Sequence, residues 1–124
     1  MVGRFGEAHV DFEELHRFSN NPRHYDGHER WNVGALLDGI TAGLAALPDG
    51  GRDVISIGVD TWGVDYGLLD DRKRLIEDPI CYRDNRTDGI VEHVHQLISR
   101  DELFRITGLQ TLPLNTIYQL VAQR

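Results

Sequence analysis

Residues 55–69 have the sequence ISIGVDTWGVDYGLL, and the rest of the chain is organised around this stretch. Apolar residues on both sides of its centre predict two buried strands, at 54–59 and 64–69. A polar and aromatic turn separates them. Ligand sites of open α/β sheets lie at the carboxyl ends of strands. The stretch therefore indicates an α/β fold with a ligand-binding turn at one edge of its sheet.

The residue types in this turn permit several kinds of binding. Asp60 and Asp65 suit a divalent cation or the hydroxyl groups of a sugar, and Trp62 offers a flat apolar face to a sugar ring. Gly63 lets a ligand approach the backbone closely. The competing interpretation is a tight strand-to-strand turn in which aspartate and glycine serve geometry and tryptophan fills the core. Spacing alone leaves both interpretations open.

Composition restricts the class of protein. A chain of 124 residues is long enough for one domain with a modest core. Its net charge of -7 argues against a nucleic-acid surface and against an anionic membrane surface. The single cysteine, Cys81, excludes an internal disulfide framework and favours a cytoplasmic location. No apolar run approaches the roughly 20 residues of a membrane span.

The remaining patterns predict the order β-β-α-β-β-β-α-α-α, which indicates an α/β fold with a mixed sheet flanked by helices. Two short strands lie at the start of the chain around the turn 6–8, and residues 23–30 are predicted to be a solvated loop. A helix begins after the N-cap Asn32 and ends at Pro48-Asp49-Gly50-Gly51. Its predicted buried face consists of Val33, Leu36, Leu37, Ile40, Leu44 and Leu47.

Further elements follow the turn 70–73. Residues 75–82 predict a third strand of the central group, and apolar spacing predicts a helix from Ile90 to Ile98 capped by Thr87. A short helix over 101–107 is expected to end at Gly108. A last helix is expected after Pro113-Leu114-Asn115-Thr116.

A second polar loop, 83–87, follows the third predicted strand. Arg86 is expected to pair with Asp84 and to orient it. The alternative is that Asp84 or Thr87 only caps a helix. His24 and His28 are spaced as metal ligands on a helix, but Pro22 and Gly27 oppose that helix. The residues alone support a sugar- or polyol-binding surface better than a complete catalyst, since the chain has neither a lysine-containing glycine-rich loop nor a cysteine and histidine cluster.

Several motifs, in matching order and at similar spacing, resemble the FGGY family of carbohydrate kinases, and within it the rhamnulokinases. The family usually has Trp-Asp where this chain has Trp31-Asn32. The resemblance covers almost the whole chain. The motifs are Leu15-His16-Arg17-Phe18, Trp31-Asn32-Val33, Ser56 to Tyr66, Tyr82-Arg83-Asp84-Asn85-Arg86-Thr87 and the run from Pro113 to Leu120.

The resemblance implies an RNase H-like N-terminal domain of the actin, hexokinase and sugar-kinase type. Family members transfer the γ-phosphoryl group of ATP to a sugar hydroxyl with Mg²⁺, here expected to be the 1-hydroxyl of L-rhamnulose. Gly63 matches the family's sugar-contacting glycine, with Thr61 and Trp62 beside it in the same loop. Asp84 and Arg86 are implied to lie in a second loop on the same face.

The resemblance also implies that residues 1–124 form part of the sugar-side domain. The family's first strand and its phosphate-binding loop, of the type Asp-x-Gly-x-x-x-Gly-Arg, have no counterpart here, nor does the second domain. The family's catalytic aspartate is expected outside this chain, so no catalytic residue or metal ligand is assigned within it. We expect the chain alone to be inactive, not to bind ATP or Mg²⁺ tightly, and to be marginally stable and aggregation-prone.

Two alternatives remain at this stage. One is a non-catalytic sugar-binding or interaction module. The other is a metal-dependent phosphohydrolase that uses Asp60 and Asp65. A small-molecule sugar is the expected partner of both the kinase and the sugar-binding module.

Overall fold

A computed structural model describes residues 1–61 and 63–123. The chain divides into two compact units. The first contains Met1–Asn21 and Asn32–Asp60, and the second contains Pro22–Trp31 and the chain from Thr61 onward. The described residues form an α/β arrangement of two short antiparallel sheets and four α-helices.

The first unit opens with the predicted hairpin. Strand β1, Val2–Phe5, pairs antiparallel with strand β2, Val10–Glu13. The turn is closed by the backbone N–H of Gly6, which donates to the carbonyl of His9 at 2.9 Å. Both predicted strands are confirmed. They form because each has its pairing partner nearby in the sequence.

Helix α1, Val33–Ala45, begins where the sequence predicts. The Asn32 side chain caps it by accepting a hydrogen bond from the backbone N–H of Ala35 at 3.0 Å. The prediction of one buried face is wrong for this chain, because no residue of the helix is buried. Leu37 is 57% exposed, since none of the described elements covers that face.

Two helix glycines lie against the segment that precedes the second hairpin. A Cβ placed on Gly39 would lie 2.6 Å from the Phe18 ring, whereas one on Gly43 would lie 3.6 Å from the nearest atom of His16. The first distance is a clash and the second is an ordinary van der Waals contact. Gly39 and Gly43 thus allow the irregular segment that contains His16 and Phe18 to approach α1 closely.

We expect Gly43→Ala to raise the free energy of unfolding of the first unit by up to about 1 kcal/mol, because alanine favours a helix interior more than glycine does. Gly39→Ala has the same propensity gain but must displace Phe18, so its net effect is expected to be smaller. Urea denaturation followed by circular dichroism measures both. Equal stabilisation by the two variants would contradict the packing of Phe18 on α1.

The predicted strand at 54–59 is absent. These residues have no regular secondary structure, and no strand in the described ranges runs beside them. Ile55 is 92% exposed and Val59 is 83% exposed. A strand needs a neighbour for its backbone hydrogen bonds and for burial of its side chains. The apolar pattern is therefore present without the partner that would make it a strand.

The second unit contains a hairpin that the sequence analysis assigned to a solvated loop. Strand β3, Arg23–Tyr25, pairs antiparallel with strand β4, His28–Arg30. The two turn residues, Asp26 and Gly27, have φ angles of 52° and 77°. Asp-Gly with positive φ at both positions is a preferred two-residue hairpin turn, which the polar composition of the segment concealed.

The predicted strands at 64–69 and 75–82 are reduced to isolated bridges within the described residues. The predicted turn 70–73 is confirmed, because Leu69 and Leu75 form a β-bridge across it. Ile80 forms a second β-bridge, with Arg30 of β4. The backbone N–H of Cys81 also donates to the carbonyl of Glu29 at 2.7 Å. These contacts attach the 79–81 segment to the hairpin without forming a mixed sheet.

Three helices complete the second unit. They are α2, Ile90–Leu97, α3, Arg100–Thr107, and α4, Thr116–Ala122. Gly108 ends α3 with a φ of 68°, as predicted, but the residue before α2 is Gly89, so the predicted capping by Thr87 is wrong. None of the helices in the described ranges is long and apolar enough to cross a membrane.

All residues that are buried in the described chain lie in the second unit. Tyr118 of α4 is fully buried against Val91 and Val94 of α2. Its hydroxyl hydrogen-bonds Nε2 of His95 at 2.9 Å. This small core fixes α4, and α4 in turn carries the polar residues that contact the predicted ligand loops.

Candidate functional site

The predicted sugar-contacting turn is exposed at Thr61 and Gly63. Gly63 has a φ of 66°, in the left-handed region that favours glycine. Apart from its two neighbours in the chain, a Cβ built on it would meet no atom of the described residues within 4 Å. Trp62, the third residue predicted for this turn, lies outside the described residues.

Each of the three residues that follow Gly63 makes a hydrogen bond, Val64 through its backbone and Asp65 and Tyr66 through their side chains. The carbonyl of Val64 accepts a hydrogen bond from Nε2 of Gln119 at 3.2 Å. Oδ2 of Asp65 accepts one from Nε1 of Trp31, and the Tyr66 hydroxyl donates to Oε1 of Gln123, both at 2.5 Å. Residues 64–66, the arm that follows Gly63, are thus anchored by hydrogen bonds, whereas Gly63 itself is exposed.

Asp65 is half-buried and contributes to this anchoring. Burial raises the pKa of Asp65 above its ordinary value, and the hydrogen bond from the Trp31 indole offsets the rise only in part. Asp60 is exposed and belongs to the first unit, whereas Asp65 belongs to the second. The residues described contain no group of three or more histidine, cysteine, aspartate or glutamate side chains arranged to hold a metal ion.

His24 and His28, the other candidates for metal ligation, lie on the two strands of the β3–β4 hairpin and not on a helix. Nδ1 of His24 lies 3.1 Å from Oε1 of Glu29. Nδ1 of His28 lies 3.1 Å from Oδ1 of Asp84. Each histidine therefore has a carboxylate partner within its own unit.

Asp84 is buried, and its carboxylate is engaged by backbone groups. Oδ2 accepts from the N–H of Glu29 at 2.8 Å, and Oδ1 accepts from the N–H of Arg86 at 2.9 Å. Burial by itself raises the pKa of Asp84, but these N–H groups and His28 outweigh it and hold the pKa below its ordinary value. Asp84 therefore attaches the β3–β4 hairpin to the short 3₁₀ helix Asn85–Thr87 that it caps.

The predicted pairing of the Arg86 side chain with Asp84 is wrong. Nη2 of Arg86 donates instead to Oε1 of Gln119 at 2.6 Å, and the guanidinium carbon lies 5.6 Å from the centre of the Tyr66 ring. Only the backbone N–H of Arg86 reaches Asp84. The guanidinium therefore links the 83–87 loop to the arm that follows Gly63.

Beside this contact lies a small surface cavity that is open to solvent. Arg86, Tyr66 and Gln123 line one part of it. Glu77 and Asp78 line another part, and the buried Arg30 holds both of them. It donates through Nη1 to the carbonyl of Asp78 at 2.7 Å and forms an ion pair with Glu77 at 3.0 Å. Within the second unit, Arg86 of the 83–87 loop therefore lies against Tyr66 of the segment that follows Gly63.

The residues that sequence reasoning missed are Gln119, Gln123 and Trp31. Gln119 is 1% exposed although it carries an amide. In the sequence, Gln119 directly follows the core residue Tyr118 in the last apolar helix, and this position was the available indication of its burial. A glutamine in that position requires buried hydrogen-bond partners, but the sequence does not identify them.

Comparisons with known proteins support the family resemblance that the sequence motifs indicated. The sequence profile of the N-terminal domain of the FGGY family of carbohydrate kinases matches residues 16–121. The chain is 42% identical over 113 residues to a rhamnulokinase of Mannheimia succiniciproducens, covering 91% of this chain and 23% of that protein. It is 40% identical over 120 residues to a rhamnulokinase of Bacillus subtilis, covering 97% of this chain and 25% of that protein.

A rhamnulokinase of Klebsiella pneumoniae is 43% identical over 117 residues, which cover 94% of this chain and 24% of the relative. The chain thus spans about a quarter of the length of the curated relatives that it matches.

Proposed function

The chain belongs to the FGGY family of carbohydrate kinases, and we propose that it supplies part of the sugar-binding side of an ATP-dependent ketose kinase. The proposed reaction converts L-rhamnulose to L-rhamnulose 1-phosphate in rhamnose catabolism in the cytoplasm. The similarity to three rhamnulokinases supports this choice of substrate. The proposed parent fold is RNase H-like, with residues 1–124 as part of its N-terminal domain.

The observation that carries the proposal is the open, left-handed Gly63 beside an anchored arm. A backbone N–H without a neighbouring Cβ can approach a sugar hydroxyl closely. Anchoring of residues 64–66 fixes the direction of that N–H before the sugar arrives, which reduces the ordering cost of binding. Thr61 and Trp62 are proposed to add a hydroxyl contact and an apolar face.

Asp84 and Arg86 have supporting parts in this proposal. The buried carboxylate of Asp84 fixes the start of the second loop. The guanidinium of Arg86 lies against Tyr66 and Gln119, where it stabilises the arm that follows Gly63. Both residues thus act on the sugar loop through its neighbours.

In the proposed kinase, ATP would supply the phosphoryl group, and Mg²⁺ would neutralise part of the charge on its phosphates. The described residues offer no cluster of metal ligands, so no step of the reaction is assigned to a metal held by this chain. The proton acceptor for the attacking hydroxyl is proposed to lie outside residues 1–124. The part played by this chain is to bind and orient the sugar, which is a major component of phosphoryl-transfer catalysis.

A titration of the ¹⁵N-labelled chain with L-rhamnulose tests the proposal. We expect saturable chemical-shift changes at the amides of Gly63 and Thr61, and little change in α3, which serves as an internal control. D-fructose is the matched ketose control. Absence of a saturable change at Gly63 up to about 10 mM sugar, above the usual range of KM, would remove the sugar-binding role from this chain.

A further inference from the structure

Gln119 joins three separate segments of the second unit. Its Nε2 donates to the carbonyls of Val64 at 3.2 Å and of Leu114 at 2.6 Å, and its Oε1 accepts from Nη2 of Arg86 at 2.6 Å. Both amide hydrogens and the amide oxygen are therefore used. Because Arg86 can only donate, the orientation of the amide is settled by the network itself.

Gln123 follows Gln119 by four residues, so the two side chains lie on the same side of α4 and its last turn. Its Oε1 accepts the hydroxyl hydrogen of Tyr66 at 2.5 Å. The two glutamines thus contact the arm after Gly63 at its first and third residues. The Arg86 guanidinium, which donates to Gln119, also lies over the Tyr66 ring. The two glutamines, Arg86 and Tyr66 therefore form one connected cluster.

Tyr118 lies beside Gln119 in the chain but has a different role. Its hydroxyl contacts His95 of α2, and its ring fills the small core with Val91 and Val94. Helix α4 therefore stabilises the fold through one set of side chains and contacts the sugar loop through another. This separation allows the two roles to be tested independently.

We propose that Gln119 and Gln123 are positioning residues, which hold the segment 64–66 through the Val64 carbonyl and the Tyr66 side chain so that Gly63 faces the sugar. This inference rests on the proposed function. A buried amide is costly unless its hydrogen bonds are made, and here each bond ends on the sugar loop, on the neighbouring 83–87 loop or on Leu114, which precedes α4. An aliphatic side chain would fill the same space without orienting the loop.

Four variants of the full 124-residue chain test this. Gln119→Leu and Gln123→Leu remove the contacts with little change of volume. Gln123→Glu keeps an oxygen acceptor for Tyr66 and is the rescue variant. Tyr118→Phe removes a buried hydrogen bond from the same helix without touching the loop, and it is the structural control. The measurement is amide hydrogen exchange resolved by residue.

We expect Gln123→Leu, which loses one hydrogen bond, to accelerate exchange at residues 64–67 by roughly tenfold relative to α2, and Gln119→Leu, which loses three, to accelerate it further. Gln123→Glu should restore the wild-type ratio, and Tyr118→Phe should leave the ratio unchanged. Uniform acceleration through the second unit, or the same pattern in Tyr118→Phe, would overturn the positioning role.

A second readout is the affinity for L-rhamnulose in the same titration. The leucine variants are expected to bind about tenfold more weakly, and Tyr118→Phe to bind as the wild type does. Loosened exchange at 64–67 with unchanged affinity would overturn the inference while leaving the proposed function intact. A wild-type chain that does not bind the sugar counts against the proposed function, and the exchange pattern still decides whether the glutamines hold the loop.

Discussion

Replacing Asp84 with asparagine is expected to lower the free energy of unfolding by about 2–4 kcal/mol. The carboxylate is buried and accepts backbone N–H groups from Glu29 and Arg86 on different oxygens, with His28 at 3.1 Å. Asparagine presents an N–H group where one acceptor is needed, so a backbone donor loses its partner. Urea denaturation followed by tryptophan fluorescence measures the loss.

The same carboxylate makes stability depend on pH. Its pKa is lowered in the folded chain, so its contribution is present above the unfolded value of about 3.9 and is lost as pH falls through the folded value. The wild type is therefore expected to lose stability below about pH 4. In Asp84→Asn this component of the acid loss should disappear.

Asp88→Asn is the matched control, because Asp88 is exposed and directly follows the 83–87 loop. It is expected to change the free energy of unfolding by less than about 0.5 kcal/mol. A stable Asp84→Asn variant that had lost only sugar binding would show that Asp84 contacts the sugar directly. It would also contradict the structural role that the hydrogen bonds indicate.

Gly63→Ala is expected to have the largest effect on activity. We place it in a chimera in which this chain replaces the 120 aligned residues of the Bacillus subtilis relative. A Cβ at a φ of 66° costs about 1–2 kcal/mol and covers the backbone N–H that the sugar is proposed to approach. Displacement of the sugar by about 1 Å can lower the rate about 100-fold, so we expect kcat/KM to fall by roughly 10- to 100-fold.

Gly50→Ala is the control for backbone strain. Gly50 has the same φ of 66°, and a Cβ there would also meet no atom of the described chain within 4 Å. It lies in the turn after α1, in the first unit. We expect a similar loss of stability and an unchanged kcat/KM. Equal loss of activity in both variants would mean that strain, and not the position of Gly63, lowers the rate.

Features that depend on neighbouring residues were predictable from the sequence. The Asn32 cap, the stop at Pro48 and the end of α3 at Gly108 each depend on a few adjacent residues, and all three are confirmed. The β1–β2 hairpin was found for the same reason. The β3–β4 hairpin was missed because polar composition was given more weight than its Asp-Gly turn.

Features that depend on distant residues were not predictable in this way. The stretch 54–59 has the composition of a buried strand, but no described strand lies beside it, and the apolar face of α1 is exposed for the same reason. In the candidate site, Asp84 and Arg86 were identified as important, but their partners were not. Those partners, Glu29 and Gln119, are 55 and 33 residues away in sequence, and residue spacing carries no information about them.

The most direct test of the account is the activity of the chimera itself. With residues 63–66, the 83–87 loop and α4 all supplied by this chain, the soluble chimera is expected to phosphorylate L-rhamnulose with ATP. The measurement is the rate of ADP formation at saturating L-rhamnulose, compared with the unmodified relative. A folded chimera with a cooperative melt and no sugar-dependent ADP formation would contradict the proposal that this chain forms the sugar-binding side of a rhamnulokinase.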